Sequence, residues 1–365
     1  MSSERRTEIQ WLRALAAIEV VICHSDLLTK HFSDYRILGS AWYQPLGGIG
    51  VELFFIVSGY VICMRAPEAP GGGRFLLSRI LRLYPMYWIF TSLVLVAHSI
   101  NPSWRLNNYD PGFISLAKSY LILPQWGFPI LGVGWTLEHE MIFYAFVAVV
   151  IALWGLKGPA RPGVAWALAG MGLVGSMLGP GPSPWIWTFH ACTPYMFAFG
   201  LGWLLRWVEE AEHPGRYWHI ALFAGVGGIA FWVGGEWADR LVFRIAIAGL
   251  VFWGFIACRR AFEADTWLNR AAWKFGDASF SIYLSHWFVL SATGKALGAL
   301  HLPAATDGLV RVLGITLSAF VGLWFFTALE KPIDRMLRRK GAPAEFPWLR
   351  NLAMSWRSRA ARDAG

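Results

Sequence analysis

Charge is scarce in this chain: Asp, Glu, Lys and Arg make up 15% of its 365 residues, against roughly a quarter in soluble domains. Hydrophobic residues reach 56%, and the mean hydropathy is +0.44. Such a chain cannot cover its surface with polar groups, which excludes an ordinary soluble domain and makes lipid its solvent. Cysteine is scarce too. Cys23, Cys63, Cys192 and Cys258 lie far apart, in or beside apolar runs, without CxxC or Cys/His spacing. They read as free packing thiols, and no metal site is expected. Also missing are a GxSxG elbow, a Walker loop and an HExxH helix, so a serine hydrolase, an NTPase and a zinc protease have no support. There is no internal repeat, which counts against a transporter built from duplicated halves.

What is abundant is aromatic and apolar. Twenty-two Trp and 25 Phe suit aromatic belts and helix packing in a bilayer. Apolar runs predict an all-α, polytopic membrane protein of about ten spans: 9–29, 47–64, 83–100, 136–156, 163–179, 189–207, 217–235, 240–258, 279–298 and 308–329. The first run follows Arg5 and Arg6 as a signal peptide would. It contains Arg13, Glu19 and His24 and has no small-residue cleavage site, so it is expected to be a retained helix. Basic residues cluster after alternate spans (Arg65, Arg74, Arg79, Arg82; Lys157, Arg161; Arg206, Arg216; Arg259, Arg260, Arg270, Lys274) and in the tail from Arg335 to Lys340. By the positive-inside rule both termini are cytoplasmic. Topology therefore accounts for the net charge of +9 better than a nucleic-acid partner would. The connection 101–134, rich in Pro, Asn and Trp, is expected outside as a lid. Residues 8–335 read as one membrane domain, and 336–365 as a basic cytoplasmic tail on the anionic leaflet.

Ionisable groups inside spans are costly and mark interior cavities. Arg13 and His24 are eleven residues apart, three helical turns plus about 20°, so they share a face about 16 Å apart along the axis. A snorkelling arginine and a hydrogen-bonded histidine account for them equally well. Glu19 lies off that face as a local partner. Glu140 lies about one turn inside the fourth span, at a depth similar to His24, where a carboxylate would orient an imidazole as a general base. Glu138 and His139 are expected at the interface. Ser279, Tyr283 and His286 follow i, i+4, i+7 spacing and present a polar stripe, either to a cavity or to a neighbouring helix. Arg79 and Arg82 share a face at the entrance to the third span, with Arg74 nearby. Arginine forks of this kind bind phosphate, and they also serve as topological signals. Glu52, near the outer surface, suits structure or function alike.

These segments resemble the acyltransferase 3 family, membrane-bound enzymes that O-acylate cell-surface and exported carbohydrates. WLRALAAIEVVICH resembles the family's first-helix Arg-x10-His signature, GVELFFIVSGYVI its second helix and FLLSRILRLYPMYW its RxxR-Pro segment. WTLEHEMIFYAF is similar to the WSLSVEEQFY-like block, and FGDASFSIYLSHWFVL to the LGxxSYSLYLxHxP-like ninth helix. The blocks keep the family order over residues 8–335, and Glu330-Lys331-Pro332 fits its usual ending. Two departures stand out: the block's second acidic residue is Met141, and Glu52 stands where Asp is commoner.

The resemblance is strongest to the exopolysaccharide-decorating branch. It implies a bacterial inner-membrane enzyme that moves an acyl group, acetyl by expectation, from acyl-CoA to a glycan hydroxyl, with a polysaccharide biosynthesis complex as a partner. No bound cofactor is implied, the acyl-CoA being a substrate. On this expectation Arg79, Arg82 and Arg13 meet the CoA phosphates. His24, aided by Glu140, acts as base or transient acyl carrier, and Tyr283 or His286 faces the oxyanion. A flippase for polysaccharide intermediates and a scaffold in an export complex are the competing readings.

Overall fold

A computed structural model describes residues 6–37, 48–101, 112–156, 158–179, 186–210, 217–233 and 235–339. Among these the chain is helical throughout, without a strand: α1 (Thr7–Cys23), α2 (Asp26–Thr29), α3 (Ile49–Arg65), α4 (Gly72–Ile100), α5 (Phe113–Leu121), α6 (Trp135–Trp154), α7 (Ala160–Leu178), α8 (Ile186–Ala191), α9 (Tyr195–Glu209), α10 (Trp218–Val233), α11 (Gly235–Ala257), α12 (Trp267–Asp277), α13 (Ser279–Gly298), α14 (Asp307–Phe325) and α15 (Lys331–Arg339). Five helical stretches are long and apolar enough to cross a membrane: Ile49–Glu68, Gly72–Ile100, Gly132–Trp154, Arg240–Ala257 and Ala304–Leu337. Each other expected span falls on one or two helices, shorter or more polar than those five.

The boundaries differ from the sequence expectation where polar groups intervene. The first run does not continue to residue 29. It stops at Cys23, His24 leaves helical geometry at φ −91°, ψ 0°, and the Ser25 hydroxyl caps the Ile22 carbonyl at 2.7 Å. The sixth run breaks between α8 and α9, where Gly175 of α7 lets the Cys192 carbonyl approach. The third run begins a full three turns early: α4 starts at Gly72, so Arg74, Arg79 and Arg82 stand on the helix and not in a loop. The expected lid contains α5, and residues 102–111 of that connection lie outside the described residues. The 335/336 boundary falls inside α15, and the tail beyond Arg339 is likewise outside them.

Close helix approach depends on glycine, as expected where lipid offers no hydrophobic drive between helices. On α3 and α9 the arrangement is reciprocal: a Cβ at Gly59 would strike the Phe199 carbonyl, and one at Gly202 that of Ile56. Rings fill the space above, with Phe199 stacked on Phe55 and Phe143 at 4.4 Å each. Glu19 joins α1 to α3. Its carboxylate accepts from the amides of Gly48 (3.0 Å) and Gly50 (2.7 Å), satisfying free donors at the positive end of α3, and also from its local neighbour Cys23.

Candidate functional site

Helices α1, α3, α4, α6, α12, α13 and α15 line a cavity of about 850 Å³. Its wall carries Arg6, Arg13, Arg65, Arg79, Arg82 and Lys331 against two carboxylates, Glu140 and Asp277. This excess of cation favours an anionic guest. Arg79 lies over the Phe75 ring at 5.7 Å and donates weakly to Ser78. Arg82 faces buried Glu330 at 3.6 Å, whose other oxygen accepts from Ser281 at 2.6 Å. Among the described residues Arg13 makes only a long contact to Gln10, 3.5 Å. These guanidiniums therefore keep donors directed at the cavity. Arg74 is exposed and outside the wall.

The two histidines connect to the cavity wall through Tyr283. Tyr283 belongs to both: it lines the wall, and its carbonyl takes a 2.6 Å hydrogen bond from His286 Nδ1. A carbonyl can only accept, so His286 Nδ1 carries the proton, and neutral His286 offers Nε2 as an acceptor. That Nε2 lies 3.2 Å from His24 Nδ1. His24 Nδ1 is also 3.0 Å from the Val20 carbonyl, so it too is the protonated nitrogen. The lone pair of His24 is thereby fixed on Nε2, which has no hydrogen-bond partner among the described residues. Trp287 packs edge-on against the ring at 5.1 Å. His24 also sits at the C-terminal end of α1, whose dipole favours a positive imidazolium.

The expected His24–Glu140 pairing is corrected. Glu140 accepts from Ser58 at 2.9 Å and from Tyr144, and the neighbour that orients His24 is His286. One helical face does unite Ser279, Tyr283 and His286. Ser279 and Tyr283 line the cavity, and His286 meets His24. The sole Tyr283 proton goes to the Val133 carbonyl at 2.7 Å, with Thr136 at 2.8 Å, and both His286 nitrogens are engaged. Neither residue is therefore poised as an oxyanion donor in this arrangement.

Glu138 and His139 are not interfacial but buried. Glu138 binds His190 at 2.9 Å and Gln125 at 3.0 Å, which fastens the connection before α6 to α8. Glu52 is buried against Arg244 at 3.1 Å, a structural pair between α3 and α11. Several basic residues read as topological signals are in fact paired: Arg161 with Glu210, Arg206 with Glu209 and Glu210, and Arg259 with Glu209. The sequence reading missed Ser58, Tyr144 and Arg311. The first two fall on ordinary helix faces, and only the unusual placement of an arginine within the tenth apolar run marked the third. Among the described residues no group of three or more His, Cys, Asp or Glu is arranged to hold a metal ion.

The family model described as an acyltransferase domain matches residues 6–328. The chain belongs to the acyltransferase 3 family. It is an acyltransferase, of the kind that transfers groups other than aminoacyl groups. Relatives extend along nearly its whole length. "Exopolysaccharide production protein ExoZ" of Rhizobium meliloti (strain 1021) is 29% identical over 82% of this chain and 93% of its own. "Acyltransferase MdmB" of Streptomyces mycarofaciens is 24% identical over 94% and 95%. "Nodulation protein 10" of Rhizobium leguminosarum bv. viciae is 25% identical over 79% and 84%. No solved structure gives a significant match. With several helices able to cross a bilayer, this acyltransferase is a multi-pass membrane protein.

Proposed function

We propose that this acyltransferase moves an acyl group, acetyl by our reading, from cytoplasmic acyl-CoA to a hydroxyl of an exopolysaccharide or its lipid-linked precursor. The observation that carries the proposal is the cation-rich cavity that shares Tyr283 with the His24–His286 pair. The name of the Rhizobium meliloti relative supports the acceptor class. In this reading the chain has ten spans with both termini cytoplasmic in a bacterial inner membrane, and it works beside polysaccharide biosynthesis enzymes. A flippase is the alternative, but a flippase needs no base with a lone pair held in place.

Arg79, Arg82 and Arg13 engage the phosphates of the donor by charge-assisted hydrogen bonds, and the thioester arm extends along the wall toward Tyr283. His24 Nε2 takes the acceptor hydroxyl proton as the oxygen bonds to the thioester carbon. The carbon–sulfur bond then breaks, and the His24 imidazolium returns the proton to the departing CoA sulfur. The Val20 carbonyl and His286 Nε2 hold the Nδ1 proton throughout, so the ring stays oriented and its transient charge is stabilised.

The test is proton NMR of the host's surface polysaccharide in a deletion strain complemented with wild type or His24→Ala at equal protein levels. The acyl signal is expected to vanish on deletion, return with wild type and stay absent with the variant. An unchanged acyl pattern with less exported polymer would favour the flippase instead.

A further inference from the structure

Arg311 stands within an apolar run, is 5% exposed, and turns both its terminal nitrogens to the segment that follows His24. Its Nη1 donates to Ser25 Oγ at 2.9 Å and Asp26 Oδ1 at 2.6 Å, and Nη2 to Thr29 Oγ1 at 2.8 Å and the Tyr35 carbonyl at 3.0 Å. Nε is held by Asp307 at 2.7 Å, one turn earlier on α14. A buried guanidinium this fully satisfied has one geometry, because the planar fork fixes all its partners at once. Two further contacts press α2 into the same place. A Cβ at Gly314 would strike the Leu28 side chain, and one at Gly294 of α13 would strike the Leu27 carbonyl. Asp26 also accepts from the amide of Ile37 at 3.1 Å, which closes the segment 24–37 on itself.

Ser25 and Asp26 are the two residues after His24, at the point where α1 stops. The direction of the imidazole therefore depends on what fixes this turn. We propose that Arg311 is a positioning residue for acyl transfer: acting through Ser25 and Asp26, it sets the turn that aims His24 at His286. The proposal rests on His24 being the base. Arg311 touches neither donor nor acceptor in this scheme, so its loss should lower turnover and leave donor binding alone.

The measurement uses the purified full-length chain, the acyl-CoA whose acyl group the NMR experiment identifies, and polysaccharide from the deletion strain. Arg311→Ala and the milder Asp26→Asn are each expected to lower kcat about 10- to 100-fold, the scale of a misplacement near 1 Å, with KM for acyl-CoA unchanged. In a His24→Ala background neither should lower the residual rate further, because the turn then has no base to aim. Should Arg311→Ala fail to fold, Asp26→Asn carries the same comparison. Normal kcat in the single variants, or an equal fractional loss with and without His24, would overturn the proposal. Full activity of His24→Ala alone would instead overturn the catalytic reading on which it rests.

Discussion

The neighbours of His24 and Arg82 assign the two residues different kinetic consequences. His286 contributes an acceptor that holds His24 in one tautomer, an effect felt as the imidazole becomes charged in the transition state. His286→Ala is expected to reduce kcat by about 10²-fold, within the usual range for disturbing acid–base catalysis, with little change in KM for acyl-CoA. Arg82 faces Glu330 only at 3.6 Å and lines the cavity, so it can turn to a phosphate. Arg82→Ala is expected to raise KM roughly tenfold, the worth of one hydrogen bond to a charged group, with kcat nearly kept. Steady-state kinetics on the two purified variants decides the matter. Equal effects on both parameters would show that the two residues do not divide donor binding and chemistry. Arg13 and His24 were legible in the sequence because an ionisable group in an apolar run is conspicuous, and Arg79 and Arg82 because two arginines three apart share a helix face. The partner of His24 was not, since the depth of Glu140 along its own helix says nothing about which face of α6 turns toward α1. Only packing places His286 there and leaves Glu140 with Ser58 and Tyr144.

Elements were legible wherever hydropathy alone decides them, and the expected spans all correspond to helices. Breaks were not, because they are made by single hydrogen bonds. The expected span takes in residues 24–29, where only Leu27 and Leu28 are apolar, yet α1 ends at Cys23, where Ser25 caps Ile22 and Arg311 draws the following turn aside. The start of α4 was missed for the opposite reason. Arginines look like loop residues in a hydropathy scan, although they are good helix formers, and here their side chains have a cavity to enter. The contact of α3 with α9 was invisible in the same way: Gly59 and Gly202 are ordinary in sequence, and only the opposing carbonyls show why nothing larger fits. Gly202→Ala is expected to destabilise the protein by about 1–3 kcal/mol, the usual cost of overpacking, as a lower melting temperature in detergent. A melting temperature equal to wild type would mean that α9 moves aside without cost and that the glycine approach is not a constraint on the bundle.

At the scale of the whole molecule, a single carboxylate ties the start of α1 to three distant parts of the chain. Glu209, at the end of α9, accepts from Arg6 at 2.8 and 3.2 Å, Arg206 at 3.1 Å and Arg259 at 3.1 Å, and also from the Tyr60 hydroxyl. It thereby ties the start of α1 to α3, α9 and the turn after α11. Arg6 is itself part of the cavity wall, so the network shapes the entrance assigned to the donor. Burial opposes ionisation of Glu209, but hydrogen bonds from Arg6 and Tyr60 and the Arg6 charge outweigh it and bring the carboxyl down to about 2. Between that value and the ordinary one of 4.5, the unfolded chain holds a proton that the folded chain does not. Stability from this group is therefore complete above about pH 5 and is lost as pH falls through that interval toward 2. Melting temperatures of wild type and Glu209→Gln, measured from pH 7 to pH 3 in the same detergent, isolate the effect from that of other carboxylates. The variant is expected to melt lower at pH 7, where it leaves three arginines short of a counter-charge, and the gap should narrow steadily below pH 5. A gap that stays constant with pH would show that Glu209 stabilises by shape and not by charge, and would remove the electrostatic tie between the start of α1 and the helices around it.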